Sequence, residues 1–196
     1  MTTAIPRPRD SQRARLYRAE GEVDAGRRLP TVERMQAWVD GLVATEWFVA
    51  RWGDRHFEVR PGFGHRRATA DQHGVLQMPK WARSELVLLH EVAHCLTPVA
   101  YASHGPEYAG VLLALARRGM GPGTAQLLED AFARGRVRWT LAAVPEVRPG
   151  WPRVANSRQM ADCASTPGAS VGDGPTDSLN AAHHRENADI VGHFEV

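Results

Sequence analysis

The sequence predicts an α+β fold, in which a small sheet of about three strands packs on one long apolar helix and further helices. Three observations predict it. Apolar residues recur at helical spacing in the first fifty residues and again from about 82 to 134. Between 56 and 78 the chain instead carries short, partly alternating runs broken by Pro-Gly, Gly and Asp-Gln-His-Gly turn signals. Beyond Pro145 apolar residues thin out and lose any period, so 145–196 is expected to be a disordered tail. This leaves a flexible N-terminus over 1–9 and one domain over 10–144, long enough to bury a core without staples.

The elements follow in order. Residues 10–28 are rich in Arg, Ala and Glu. Asp10 or Ser11 can cap a helix there, with Leu16, Ala19 and Val23 as a narrow apolar stripe. A clearer amphipathic helix is expected over 31–47, capped by Thr31, with Val32, Met35, Val39, Leu42 and Val43 on its apolar face. Strands are expected at 56–60, 65–70 and 74–78, and a helix from about 82 to 96. A second buried helix spans 106–118 and stops at Gly119 and the Gly121-Pro122-Gly123 cluster. A third covers 124–134 with Thr124 as its cap, and 136–141 is expected as a last short strand.

Composition narrows the function. A formal net charge of +2 does not by itself argue for a nucleic-acid partner. The basic N-terminus has no apolar run behind it, and no stretch approaches the length of a membrane span. The two cysteines, Cys95 and Cys163, cannot make a disulfide framework or a four-thiolate zinc ribbon. A reducing, cytoplasmic location is the expectation.

The chemistry is concentrated between Leu89 and Tyr108, in LHEVAHCLTPVAYASHGPEY. On a helix, His90 and His94 lie one turn apart on one face, about 6 Å from each other, and can share one ion. Neutral imidazoles suit zinc. Glu91 lies about 100° round the helix, where it can reach a water at the metal without ligating the metal. Leu86, Leu89, Ala93 and Leu96 give the same helix a continuous apolar face. Two imidazoles leave a catalytic zinc one protein ligand short. The chain has no histidine at the metzincin offset; Pro98 ends the helix and His104 arrives at the start of the next one. His104 is therefore the expected third ligand, with Glu107 as the alternative. Glu107 can otherwise orient an imidazole from behind or complement the helix N-terminus. Tyr101 or Tyr108 is the expected donor to a developing oxyanion, and the sequence does not choose between them.

HEVAH followed by HGPEY resembles the SprT-like (Spartan-type) branch of the zincin metalloproteases. The resemblance implies a zincin-like fold, His90, His94 and His104 as ligands of one Zn2+ per chain, and Glu91 as catalytic base. The segments DSQRARLYRAE, LPTVERMQAWVDGL and LQMPKWARSELVLLHEVAHCL are similar to a family of short metallohydrolases of actinobacteria and their phages, over roughly residues 10–120. The chain departs from Spartan proteins in a shorter spacing to the third histidine and in lacking the cysteines for their zinc ribbon.

The expected activity is hydrolysis of peptide (amide) bonds in a protein or peptide substrate, by a zinc-bound water that Glu91 activates. The strand at 75–78 is the expected edge against which an extended peptide would pair. The competing reading is a non-catalytic, metal-stabilised module that binds nucleic acid or protein through Arg13, Arg15, Arg18, Arg27 and Arg28, or through Arg66 and Arg67.

Overall fold

A computed structural model describes residues 9–63 and 67–145. The described chain is mixed α and β, with six α-helices and one three-stranded sheet, as the sequence predicts. The N-terminal 1–8, the stretch 64–66 with Arg66, and the expected tail, with Cys163, lie outside the described residues. No helix among the described residues is long and apolar enough to cross a membrane.

Helix α1 (Arg13–Gly21) buries Leu16 and Ala19. Neither Asp10 nor Ser11 caps it: the cap position is Gln12, which makes no side-chain capping bond. Gln12 instead joins distant chain, its Nε2 donating to the Arg138 carbonyl (2.9 Å) and its Oε1 accepting from the Arg138 N–H (3.0 Å). The segment after α1 is tied to the start of α4 (Glu85–Leu96). Leu29 N–H donates to Arg83, Glu85 N–H to Arg27 and Leu86 N–H to Ala25. The buried Glu85 carboxylate accepts from Arg27 Nε at 2.7 Å and from its backbone N–H at 3.0 Å. Both ends of α1 are thus fixed, which lays it across the later helices.

The single helix expected over 31–47 is two. Helix α2 (Val32–Val43) starts at the expected cap, where Thr31 accepts from the Arg34 N–H. It stops because Thr45 has the chemistry of both an end and a start. Its hydroxyl donates to the Leu42 carbonyl (2.8 Å) and accepts from the Phe48 N–H (3.2 Å), capping α3 (Glu46–Trp52).

The sheet runs β1 (Glu58–Pro61), β3 (Val75–Met78), β2 (Thr69–Ala70). Strand β1 is parallel to β3 and β2 antiparallel to it. The β2–β3 turn is built by Asp71, whose Oδ1 accepts from the His73 and Val75 N–H groups, and by Gly74 at φ +86°. Gln36 on α2 pins β1 by exchanging hydrogen bonds with Phe57 and Val59. The strand at 75–78 is therefore central, with both sides paired, and cannot take up a peptide as an edge. The edge beside α4 is the two-residue β2.

Helix α5 (Pro106–Gly119) packs against α4 on one side and α6 (Pro122–Arg134) on the other. Helix α6 begins two residues before Thr124, at Pro122 behind Gly121; the proline suits a first turn that needs no donor. The last strand expected at 136–141 is absent. Its backbone groups are spent elsewhere: Val137 N–H on Phe132, Arg138 N–H on Gln12 and Thr140 N–H on Pro106. A 3-10 turn (Leu141–Ala143) follows. One core joins all these elements, with Leu16, Met35, Phe48, Leu76, Leu89 and Leu112 fully buried in it.

Candidate metal centre

Helix α4 is apolar because it is buried on nearly every side. Its few polar side chains are therefore informative. His90 and Glu91 are each 5% exposed, and His94 is half-buried. The helix ends at Thr97, whose hydroxyl and N–H both return to the Ala93 carbonyl (2.8 and 3.0 Å). The chain turns through Pro98 to Gly105 and re-enters as α5. This return brings His104, 6% exposed, back over α4.

The three imidazoles converge. Their ring centroids lie 4.9 Å (His90–His94), 5.4 Å (His90–His104) and 4.8 Å (His94–His104) apart. One ligand atom from each lies within 4.8 Å of the others, so the cluster can hold a metal ion. Two details test the fit. The Nε2 atoms of His90 and His94 face each other at 3.2 Å, close to the roughly 3.3 Å edge of a tetrahedron with metal–nitrogen bonds of about 2.0–2.1 Å. Nε2 of His104 is buried and has no hydrogen-bond partner, a costly state for a polar atom unless it has a ligand. The donor set fits a borderline divalent cation.

Behind the imidazoles stand two carboxylates. Nδ1 of His90 lies 2.9 Å from Glu20 Oε1, and Nδ1 of His104 lies 2.7 Å from Asp10 Oδ2. The Tyr17 ring stacks on His90 (5.3 Å) and tilts against His104 (5.1 Å). The Tyr108 ring meets all three histidines at 4.6–5.3 Å. Glu20, Asp10, Glu91 and Arg13 are the charged neighbours that act on these rings.

Burial and these neighbours set the protonation. Burial, aided by His90 and His104, pulls His94 down to about 2. Burial also lowers His104, against the opposing hydrogen bond that its ring donates to Asp10. For His90 burial is opposed by the charge and hydrogen bond of Glu20, and the net direction is upward. Burial pushes Glu91 up to about 7, with His90 opposing and Glu20 adding. The Glu91 carboxylate has no hydrogen-bond partner among the described residues.

Of the residues singled out from sequence, His90, Glu91, His94 and His104 come together. The other candidates are placed differently. The Tyr108 hydroxyl is spent on the His90 carbonyl (3.1 Å), and burial raises its pKa well above the usual range. Tyr108 therefore braces the site and is not free as an oxyanion donor. Tyr101 is half-buried against the core, without ring contact to the histidines. Glu107 stands outside the ligand cluster and folds back over Gly105. The arginines proposed as a basic face are partly engaged: Arg27 with Glu85, Arg28 with the Lys80 and Trp81 carbonyls, and Arg13 over the Tyr17 ring. Sequence reasoning missed Asp10, Tyr17 and Glu20. A faint signal was there: Tyr17 and Glu20, three apart on one face of α1, share the side that carries Leu16 and so cannot all face water.

Comparison with protein-family models, with curated proteins and with solved structures finds no match to this chain.

Proposed function

We propose that the chain is a zinc-dependent hydrolase of the HExxH zincin type, close to the SprT-like branch, acting on amide bonds of a protein or peptide. The observation that carries this reading is the convergence of His90, His94 and His104 beside a buried carboxylate, Glu91, with no hydrogen bond among the described residues. A purely structural metal site would be closed by a fourth protein ligand. Here the cluster among the described residues holds three.

The residues divide the work. His90, His94 and His104 hold the ion through neutral imidazoles. When bound, zinc supplies Lewis acidity to a substrate carbonyl and to water. Glu91 takes the proton of the attacking water and returns it to the leaving nitrogen. Tyr108, through the His90 carbonyl, fixes the helix turn that carries two of the ligands. Tyr17, over His90 and His104, shields the ion side from bulk water.

The test is Glu91→Gln in the full chain, assayed beside wild type against a panel of peptides and proteins. The variant should retain zinc and lose about 10²–10⁴-fold in rate on any true substrate. Unchanged hydrolysis with zinc retained would remove Glu91 as the base, and no hydrolysis by the zinc-loaded wild type across the panel would withdraw the hydrolase reading in favour of a metal-stabilised binding module.

A further inference from the structure

The α4–α5 hairpin brings the three imidazoles together but does not orient them. Each ring has two nitrogens, and either can carry the proton. For His90 and His104 the choice is made from outside the hairpin. Glu20 approaches Nδ1 of His90 with both oxygens, at 2.9 and 3.1 Å. Asp10 approaches Nδ1 of His104 at 2.7 Å. An ionised carboxylate only accepts, so Nδ1 of each ring must donate, and in the neutral imidazole that binds a metal Nε2 is left with a bare lone pair aimed into the cluster. Both contacts are sheltered, the side chains of Glu20 and Asp10 being 12% and 27% exposed. The docking of α1 sets their position through the Gln12–Arg138 pair at one end and the backbone bonds of 25–29 at the other.

We infer that Asp10 and Glu20 are positioning residues for the metal centre: carried by the N-terminal segment, they hold His104 and His90 in the Nδ1–H form with Nε2 presented to the ion, so that metal affinity depends on this segment as well as on the histidine hairpin. The inference rests on reading the cluster as a metal site. It assigns the carboxylates a role in tautomer and ring orientation, beyond simple attraction of a cation. Such partners raise metal affinity by about 10–100-fold.

The experiment measures zinc affinity of the full chain by competition with a chromogenic chelator, for wild type, Asp10→Ala, Glu20→Ala, Asp10→Asn and Glu20→Gln. The alanine variants should bind about 10–100-fold more weakly. The amide variants keep an oxygen that can accept from Nδ1–H, and should recover most of that loss. In the metal-free wild type, at a pH above the raised pKa of His90, long-range proton–nitrogen correlation spectra should show protonated Nδ1 and bare Nε2 on His90 and His104. Folded alanine variants within about twofold of wild type would overturn the inference, as would amide variants as weak as the alanine ones. Should an alanine variant fail to fold, its amide counterpart and the wild-type spectrum decide, and the opposite tautomer in that spectrum overturns the proposal. A wild type that takes up no zinc sinks the metal-centre reading and this inference together; the variants separate the second from the first.

Discussion

The two parts of the centre reach it by different routes. The α4–α5 hairpin supplies three imidazoles and Glu91 from one short stretch, set by a helical repeat and a turn. Helix α1 and the residue chain before it supply the groups behind them from 70 residues away for Glu20 and 94 for Asp10. The hairpin is local and written in spacing. The carboxylates arrive only because the whole domain folds. On the proposed reading, ligand identity is encoded by a motif and ligand orientation by tertiary docking.

The largest effect should come from breaking the hairpin side. His90→Ala, His94→Ala and His104→Ala should each lower zinc affinity by more than about 100-fold, beyond the cost of losing an orienting group. Metal analysis after dialysis against a chelator measures this. If one of the three is tolerated, the ligand set is not the one described.

Next comes a change that strains the frame without touching a ligand. Gly110 on α5 lies so close to the Thr140 carbonyl oxygen that an added Cβ would collide with it. Gly110→Ala should cost about 1–3 kcal/mol of stability, seen as a lower melting temperature. Below that temperature metal stoichiometry should stay at the wild-type value.

The sequence showed some of this plainly and hid the rest for physical reasons. His90, Glu91 and His94 were legible because one helical turn fixes their geometry, and His104 because Pro98 forces the chain to return. Thr31 was legible as a cap because capping is local. The break at Thr45 was not: Trp47, one turn past Val43, extends the apolar stripe of α2 across it, so periodicity alone reads one helix. Strand β3 was taken as an edge by likeness to zincin folds, yet β1 and β2 enclose it. Residues 136–141 have strand-like composition, but their hydrogen bonds go to helix ends and to Gln12. Asp10 looked like a cap and Glu20 like part of a solvated face, because nothing local reveals a partner so distant in the chain.

A smaller effect sharpens the contrast between bracing and ligating. Tyr108→Phe removes only the hydroxyl that donates to the His90 carbonyl. Denaturant unfolding should show a loss of about 0.5–1.5 kcal/mol, with zinc retained. Metal loss in this variant would mean that the brace sets ligand geometry.

The smallest effect belongs to Glu107. It sits in the first turn of α5, where its charge complements the helix N-terminus. Glu107→Ala should cost about 0.3–1 kcal/mol at low salt and leave zinc affinity unmoved in the chelator assay. A marked fall in affinity would return Glu107 to the ligand set.

The central claim, a metal centre made of three imidazoles, is tested most directly on the purified wild-type chain by elemental analysis combined with X-ray absorption at the zinc edge. Cys95 lies one residue past His94, yet its thiol donates to the Asp71 carbonyl (3.3 Å), and burial pushes its pKa up to about 12. It should not join the ion. One zinc per chain is expected, bound by nitrogen at about 2.0–2.1 Å with an imidazole scattering pattern and no sulfur. Sub-stoichiometric zinc, or a sulfur shell at about 2.3 Å, would contradict it.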